Sequence, residues 1–580
     1  MADVVKQMVQ IIAKQITLGN QVVKSADAAS VFRRECGEIK YNTIKLLDVL
    51  RQAVRVSFMY ERPTRRIIEE IEVVLLKAYV LVRKCGSSCF INRLFTIGPA
   101  ASFRKISARL ENSIGDVSWL LRFSAPVKDR WDDIEYVGLP PIAVYDPVLC
   151  LIWEQIAILC NGSVNEKSDA AESLVLLARD SDWYACMIVK EGGVGPLLKL
   201  MMMEWKPEAQ EIAARAIGLL ARDQESVHVM IRAGVCSALA KILKEGPMRV
   251  QAVAAWAVSK LAGNYPKCQD IFASNNVIKL LVRHLAFETL EENYKYAIVS
   301  KANLIHAVED EEDSKPRPIK NNGRDQSEDP ATKATMKAMA ARALWNLAKD
   351  NPSISRSISE SKALLCFGVL LEKGTKDIQF NCAMAMMVIT AVAEKDMDLG
   401  KSVFKSSSSA CKAVVDQLLI IIEKGDQDLL IPCISAIGNL AGIFRATETR
   451  IIPLLVKFLD HTEAAVCLEA SIALTKFACT ENYLHVNHSK AILSAGGAPH
   501  LVLLAYVGEK LVQIQAVILL SYISLHVPDS GELVKNEVLN VLGWALSHHH
   551  SISQNQILEA LLLEARSKLE LYLPIGWKFY

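Results

Sequence analysis

The chain of 580 residues contains no apolar stretch that approaches a membrane span: runs such as Leu418 to Ile422 stop at five residues, where a bilayer requires about twenty. Met1 to Gln15 mixes polar and apolar residues and carries Lys6 and Lys14, a pattern that does not read as a secretion signal. There is no phosphate-binding glycine loop of the Walker type and no HExxH pair. The 14 cysteines are scattered through helical positions rather than spaced as loop pairs, so they read as reduced core thiols of a cytosolic protein. Cys85 and Cys89 lack a second pair at zinc-ligand spacing. As single thiols beside a basic stretch they would be candidates for acylation, and burial is the plainer reading. His548, His549 and His550 read as a helix end or loop, and His485 and His488 would need carboxylates from elsewhere to hold a metal. No catalytic, cofactor-binding or metal site is expected.

What is abundant is helix-forming and periodic. The nine residues Ala213 to Ala221 (AARAIGLLA) recur with their small and large residues in the same places at Ala170, Ala254, Ala340, Cys433 and Ala470, and more loosely at Cys382 and Ala516. Successive starts lie 43, 41, 86, 42, 51, 37 and 46 residues apart, and the 86 is two periods. A period in the low forties belongs to helical solenoids. Most copies are followed by a Gly- or Asn-marked turn and a second apolar helix, as in Gly192 to Leu200 and Ala233 to Leu243. The alanines allow close helix approach. The Leu, Ile and Val stripes are too wide for one helix to bury, so neighbouring repeats must cover them. Hydrophobic content of 51% against 22% charged residues suits one long core that grows along an axis.

Residues 1–125 lack the repeat. They predict amphipathic helices over about 4–16, 26–59, 64–84 and 100–123, broken at Gly19, at Arg62 with Pro63, and across 86–99. The expected architecture is all-α: an N-terminal four-helix bundle (1–125), an irregular linker (126–147), a right-handed superhelical solenoid of about eight or nine repeats (148–560) and a C-terminal tail (561–580). A charged, Pro-containing segment near 305–335 predicts a disordered loop that replaces or interrupts one repeat. Residues 406–409 predict a smaller one. Both are positions where phosphorylation or a partner could act, and tolerated insertion is an equally good reading.

Charge is segregated. Residues 1–130 hold 22 Lys and Arg against 12 Asp and Glu, a balance of +10; the chain totals +2, which leaves −8 for the rest. A basic bundle on a mildly acidic solenoid points to an anionic surface for the first and proteins for the second. The lipid-facing candidates are Arg62, Arg65, Arg66, Arg83, Lys84, Arg93, Arg104, Lys105 and Arg109. A merely solvated basic face is the alternative. Nucleic acid is disfavoured, because aromatic interleaving and RNA-binding signatures are missing.

The period and the third-helix pattern look like armadillo repeats. More specifically, Tyr60 to Ile68, Phe103 to Leu121, Gly138 to Ala143, Pro147 to Ala157, Lys244 to Trp256 and Tyr265 to Leu285 resemble the plant armadillo-repeat-only family. That resemblance implies a non-enzymatic protein of the cytoplasm and the peripheral plasma membrane. It would act in polarised (tip) growth by binding regulators of Rho-of-plants GTPases.

An armadillo groove that holds basic peptides in the importin manner uses a Trp and, four residues on, an Asn on each third helix. Here the pairs are Glu172/Leu176, Arg215/Leu219, Trp256/Lys260, Arg342/Asn346, Ser435/Asn439 and Ile472/Lys476, and none has both. The groove candidates are Arg215, Trp256, Lys260, Arg342, Asn346, Asn439 and Lys476, a set suited to an acidic or amphipathic segment. The plainer reading is that several of them cover neighbouring helices. Two other functions compete with a scaffold. One is a membrane-active bundle of the permeabilising or cell-death type; the other is a ubiquitin-ligase-like substrate adaptor lacking a U-box, since the short linker leaves no room for that domain and all but excludes a U-box ligase.

Overall fold

The computed structural model describes residues 2–55, 61–86, 99–124, 140–144, 147–203, 206–287, 289, 329–361, 363–404, 408–446, 448–548 and 556–572. Regular structure among these residues is helical throughout, as an all-α solenoid requires. Contacts divide the chain into two compact units, Met1–Ala238 and Leu239–Tyr580, with the division inside the helix Val235–Glu245.

In the first unit, helices α1 (Ala2–Asp27), α2 (Arg33–Val54), α3 (Glu61–Gly86) and α4 (Pro99–Ser124) form a bundle in which α1 and α4 each pack against both α2 and α3. Their apolar stripes meet at Ile39, Leu46, Leu50, Ile71, Leu75, Val82, Leu110 and Val117, all buried. Gly19 does not break α1. A Cβ there would stand 2.6 Å from Leu47 Cδ2, so the glycine lets α1 and α2 touch. The break falls instead inside the expected 26–59 helix, where Phe32 adopts a left-handed conformation (φ 53°). The amides of Ser30 and Val31 donate to the Cys85 carbonyl at 3.0 and 3.3 Å, tying this turn to the end of α3. The Cys85 thiol is itself buried and donates to Leu81 O; Cys89 lies outside the described residues.

The same core continues into the helix Pro147–Asn161, whose Trp153 is fully buried with its ring 6.4 Å from that of Trp119. Beyond it, the helices Val164–Asp180 and Pro207–Leu220 pack side by side. Ala213, Ala214, Ala216, Ile217 and Leu220 of the nine-residue pattern are buried.

In the second unit the pattern helices make a ladder. Met248–Asn264, Pro330–Ala348, Lys376–Lys395, Gln427–Asn439, Ala464–Ala478, Lys510–His526 and Gln556–Tyr572 each pack on the next. The approach is close enough that a Cβ on Gly438 would lie 2.8 Å from Ala473 Cβ. The turns between a repeat's first and second helices use the left-handed region at Gly234, Asn276, Gly496 and Glu537, which is what the Gly and Asn marks in the sequence reflect.

Two sequence expectations change here. Met248–Asn264 lies directly against Pro330–Ala348, so the long interval inserts chain within one repeat and replaces none. The helix begins at Pro330, a residue pre-set for a first turn, so 330–335 is not loop; residues 305–328 lie outside the described residues. Likewise 561–572 is not tail: it belongs to Gln556–Tyr572, which buries Leu558, Leu562, Ala565 and Leu569 as the last rung. Among the described residues no single helix is long and apolar enough to cross a membrane.

Candidate functional site

The helices of the second unit's ladder carry most of the groove candidates. Trp256 is half-buried and carries the Lys260 ammonium 5.8 Å from its ring centroid. On the next rung Asn346 Nδ2 donates to the Arg342 carbonyl at 2.9 Å, and its Oδ1 fills the space over Gly263. Gln269 Nε2 then donates to the carbonyls of Ala262, Asn346 and Lys349 at 3.0–3.2 Å, satisfying the ends of two adjacent rungs. Nothing in the sequence marked that glutamine.

Farther along, Asn439 corrects the sequence reading. It is only 5% exposed, and its Nδ2 donates to Met387 O and Thr390 Oγ1, both at 3.1 Å. Its Oδ1 accepts from Lys476 Nζ at 2.5 Å, while the same ammonium reaches Glu394 at 2.7 Å. Lys476 thus bridges from its own rung over Asn439 to a carboxylate two rungs away. Asn439 is not open to a peptide, because a buried amide must be paired within the fold, whereas Lys476 is partly exposed and already engaged by Glu394 and Asn439. Glu394 was missed, since no local spacing links 394 to 476. Close by, burial raises the Glu469 carboxyl, opposed by the Ser435 hydroxyl and the Lys476 charge. In the first unit Arg215 pairs with Glu211 at 2.7 Å on its own helix.

Comparison with known proteins agrees with this geometry. Residues 223–263 match the armadillo/beta-catenin-like repeat, and residues 9–125 match a domain of unknown function, DUF7792. The solenoid is built of armadillo repeats. A crystal structure of an engineered protein aligns at 21% identity over 72% of this chain and 99% of its own, with a TM-score of 0.46. A designed armadillo repeat protein aligns at 18% identity over 42% of this chain and 96% of its own, with a TM-score of 0.33. At those scores neither adds to the fold described above. No curated protein matches the chain. Armadillo solenoids are typically non-enzymatic scaffolds that bind other proteins.

A sizeable opening lies beside one rung of the ladder. In the nine-residue pattern of Lys376–Lys395, Val388 occupies the place that Asn346 and Asn439 hold in their rungs. A cavity of about 730 Å³ lies against Val388, Ala391, Val392 and Pro352. Lys349, Asp350, Lys395, Asp396 and Asp398 line its rim. Asp396 is committed: it accepts from Arg356 at 2.8 Å and from the amides of Asp398 and Leu399, which hold its carboxyl below the usual range.

On the bundle, Arg65, Arg66, Arg83, Lys84, Arg104 and Lys105 are exposed, whereas Arg109 is half-buried and bound to Glu70. Arg62 lies in the first turn of α3, and Arg93 is outside the described residues. Two carboxylates of α3 are neutralised, Glu70 by Arg109 and Glu72 by Lys14, 2.8 Å away, while Glu69 stays exposed one turn before Val73. Between its cations α3 exposes Val73, Leu76 and Val80 at 40%, 46% and 52%, an apolar stripe not foreseen from the sequence because the buried stripe beside it dominates the pattern.

The histidines singled out in the sequence bond to backbone carbonyls of their own neighbourhood. His485 Nδ1 contacts Asn482 O and His488 Nδ1 contacts Phe477 O, at 2.7 and 3.1 Å. His548 Nδ1 contacts Trp544 O at 3.0 Å; His549 and His550 are outside the described residues. Among the described residues no three His, Cys, Asp or Glu side chains are placed to hold a metal.

Proposed function

We propose that the chain is a non-enzymatic armadillo scaffold that binds protein partners along its ladder and is held at an anionic membrane surface by its basic bundle. The resemblance to the plant armadillo-repeat-only family extends this reading to the plasma membrane and to polarised growth, with regulators of Rho-of-plants GTPases as partners. The observation that carries the membrane part is the outer face of α3 and α4. Its exposed cations flank Val73, Leu76 and Val80, while Glu70 and Glu72 are already neutralised. Exposed cations near an anionic surface contribute about 1 kcal/mol each at low salt, and an exposed apolar stripe adds shallow burial.

The test is co-sedimentation of the full chain with phosphatidylserine or phosphoinositide vesicles at low and high salt, beside an Arg65→Glu/Arg66→Glu/Lys77→Glu variant. Truncation at residue 130 is avoided, because the bundle core includes Trp153. Salt-sensitive binding that the variant loses supports the reading; equal sedimentation of both proteins refutes it. Dye leakage from the vesicles would favour a permeabilising bundle instead.

A further inference from the structure

At one end of the bundle two free thiols from different helices touch, and we infer that Cys36 and Cys85 close into a reversible disulfide when the protein meets a small oxidising disulfide such as oxidised glutathione. The inference is independent of the membrane and partner readings above. Both cysteines are fixed from the same turn. The amides of Ser30 and Val31 and the Ser30 hydroxyl donate to the Cys85 carbonyl at 3.0, 3.3 and 3.1 Å, and the Cys36 amide donates to Phe32 O at 2.9 Å. The two side chains thereby share one core, Cys36 at 0% and Cys85 at 7% exposure. The Cys36 thiol donates to the Cys85 sulfur, whose own proton goes to Leu81 O at 3.4 Å. Closure therefore starts from sulfurs already side by side, which is what the short S–S bond requires.

The two thiols differ in a way that assigns their roles. Burial, with the Cys85 sulfur beside it, pushes the Cys36 thiol up to about 12; burial raises the Cys85 thiol too, but the bond it accepts from Cys36 opposes that rise. Cys85 is also the less enclosed, so its thiolate attacks first. The attack joins Cys85 to one glutathione and releases the other as a thiol. The Cys36 thiolate then displaces the bound glutathione, which leaves as a second thiol. The balance is complete: two protein thiols give up two protons and two electrons, and one oxidised glutathione becomes two reduced ones. In the closed bundle the first step is slow, because both thiols are protonated and shielded, so the pair stays reduced at rest and responds to sustained oxidation. Among the described residues α2 and α3 each pack on α1 and α4 and share no extended face. The bond ties this pair directly, across a chain loop of about fifty residues.

The experiment incubates the full chain with oxidised glutathione, quenches it in acid, unfolds it, blocks the remaining thiols and maps tryptic peptides without reduction. Cys85 and Cys89 fall in one tryptic peptide, Cys85 to Arg93, so a Cys89→Ser chain is run beside the parent. The peptide Glu35 to Lys40 should appear linked to the Cys85 peptide and should be released by dithiothreitol. The oxidised bundle should melt about 10 °C above the reduced one, a shift absent from Cys36→Ala and from Cys85→Ala. Where either variant misfolds, the peptide map of the parent still decides. Glutathione retained on Cys85 with Cys36 free, linkage of either residue to another cysteine instead, or both thiols free after prolonged oxidation would overturn the inference. So would a Cys36–Cys85 link that forms only in urea, since it would owe nothing to the folded contact.

Discussion

Replacing Asn439 by Leu tests whether the bridge across the ladder holds the fold together. Leu has the branching of Asn and is the bulkier, so no cavity is created, and the lost hydrogen bonds set a lower bound on the destabilisation. Three bonds disappear: two donated to Met387 O and Thr390 Oγ1, and one accepted from Lys476. Neutral bonds contribute about 1 kcal/mol each and a bond to a charge about 1.5–3. Lys476 keeps Glu394 and part of its solvent, which places the last term at the low end. The expected loss is at least about 3 kcal/mol. In a solenoid, stability is a sum of nearest-neighbour terms, so the loss should appear as local opening rather than as uniform weakening. Hydrogen exchange read by mass spectrometry should accelerate about a hundredfold in Lys376–Lys395, Gln427–Asn439 and Ala464–Ala478. Met248–Asn264, two rungs away, should keep its protection. Unchanged exchange around residue 439 would mean that the bridge contributes nothing. Equal acceleration at Met248–Asn264 would refute the nearest-neighbour premise.

Two more outcomes follow from the same kind of reasoning. Gly19→Val should destabilise the bundle by about 1–3 kcal/mol, since even its Cβ meets Leu47 Cδ2 at 2.6 Å; an unshifted bundle melting transition would show that Leu47 yields freely. Burial, with the His485 and Lys568 charges, lowers the His526 imidazole from 6.5 to about 4. The unfolded chain then takes up a proton that the folded chain resists, so stability from this residue is intact above about pH 6.5 and falls toward pH 4. His526→Asn should lose less stability than the parent across that window in pH-dependent melts, and parallel losses would count against it.

The periodic part of the fold was legible because the nine-residue pattern records a packing constraint: small residues where rungs touch, large ones where they fill the space between. Where a glycine or a break has a tertiary cause, local rules misled. Gly19 reads as a breaker and serves as a helix contact; the turn at Phe32 carries no Gly or Pro and is set by the Cys85 carbonyl. The last rung was mistaken for tail since its pattern is leucine-rich without the alanine signature. For the site, the spacing rule found Asn439 and Lys476 but not their use. Their partners Glu394, Met387 and Thr390 lie 49–82 positions away, beyond any local pattern. The cavity was invisible because its lining comes from two stretches, 349–352 and 388–398, that no local pattern brings together.

Met248–Asn264 and Pro330–Ala348 meet directly, so the register of these two rungs is set by their own contact whatever the length of chain between Ala286 and Pro330. Each doubling of a flexible loop's length adds only about 0.6 kcal/mol to its closure. Chain length there is therefore nearly free to drift among relatives, or to be changed by design, without shifting the register of the rungs on either side. That makes it the natural port for a reporter or a tether on this protein.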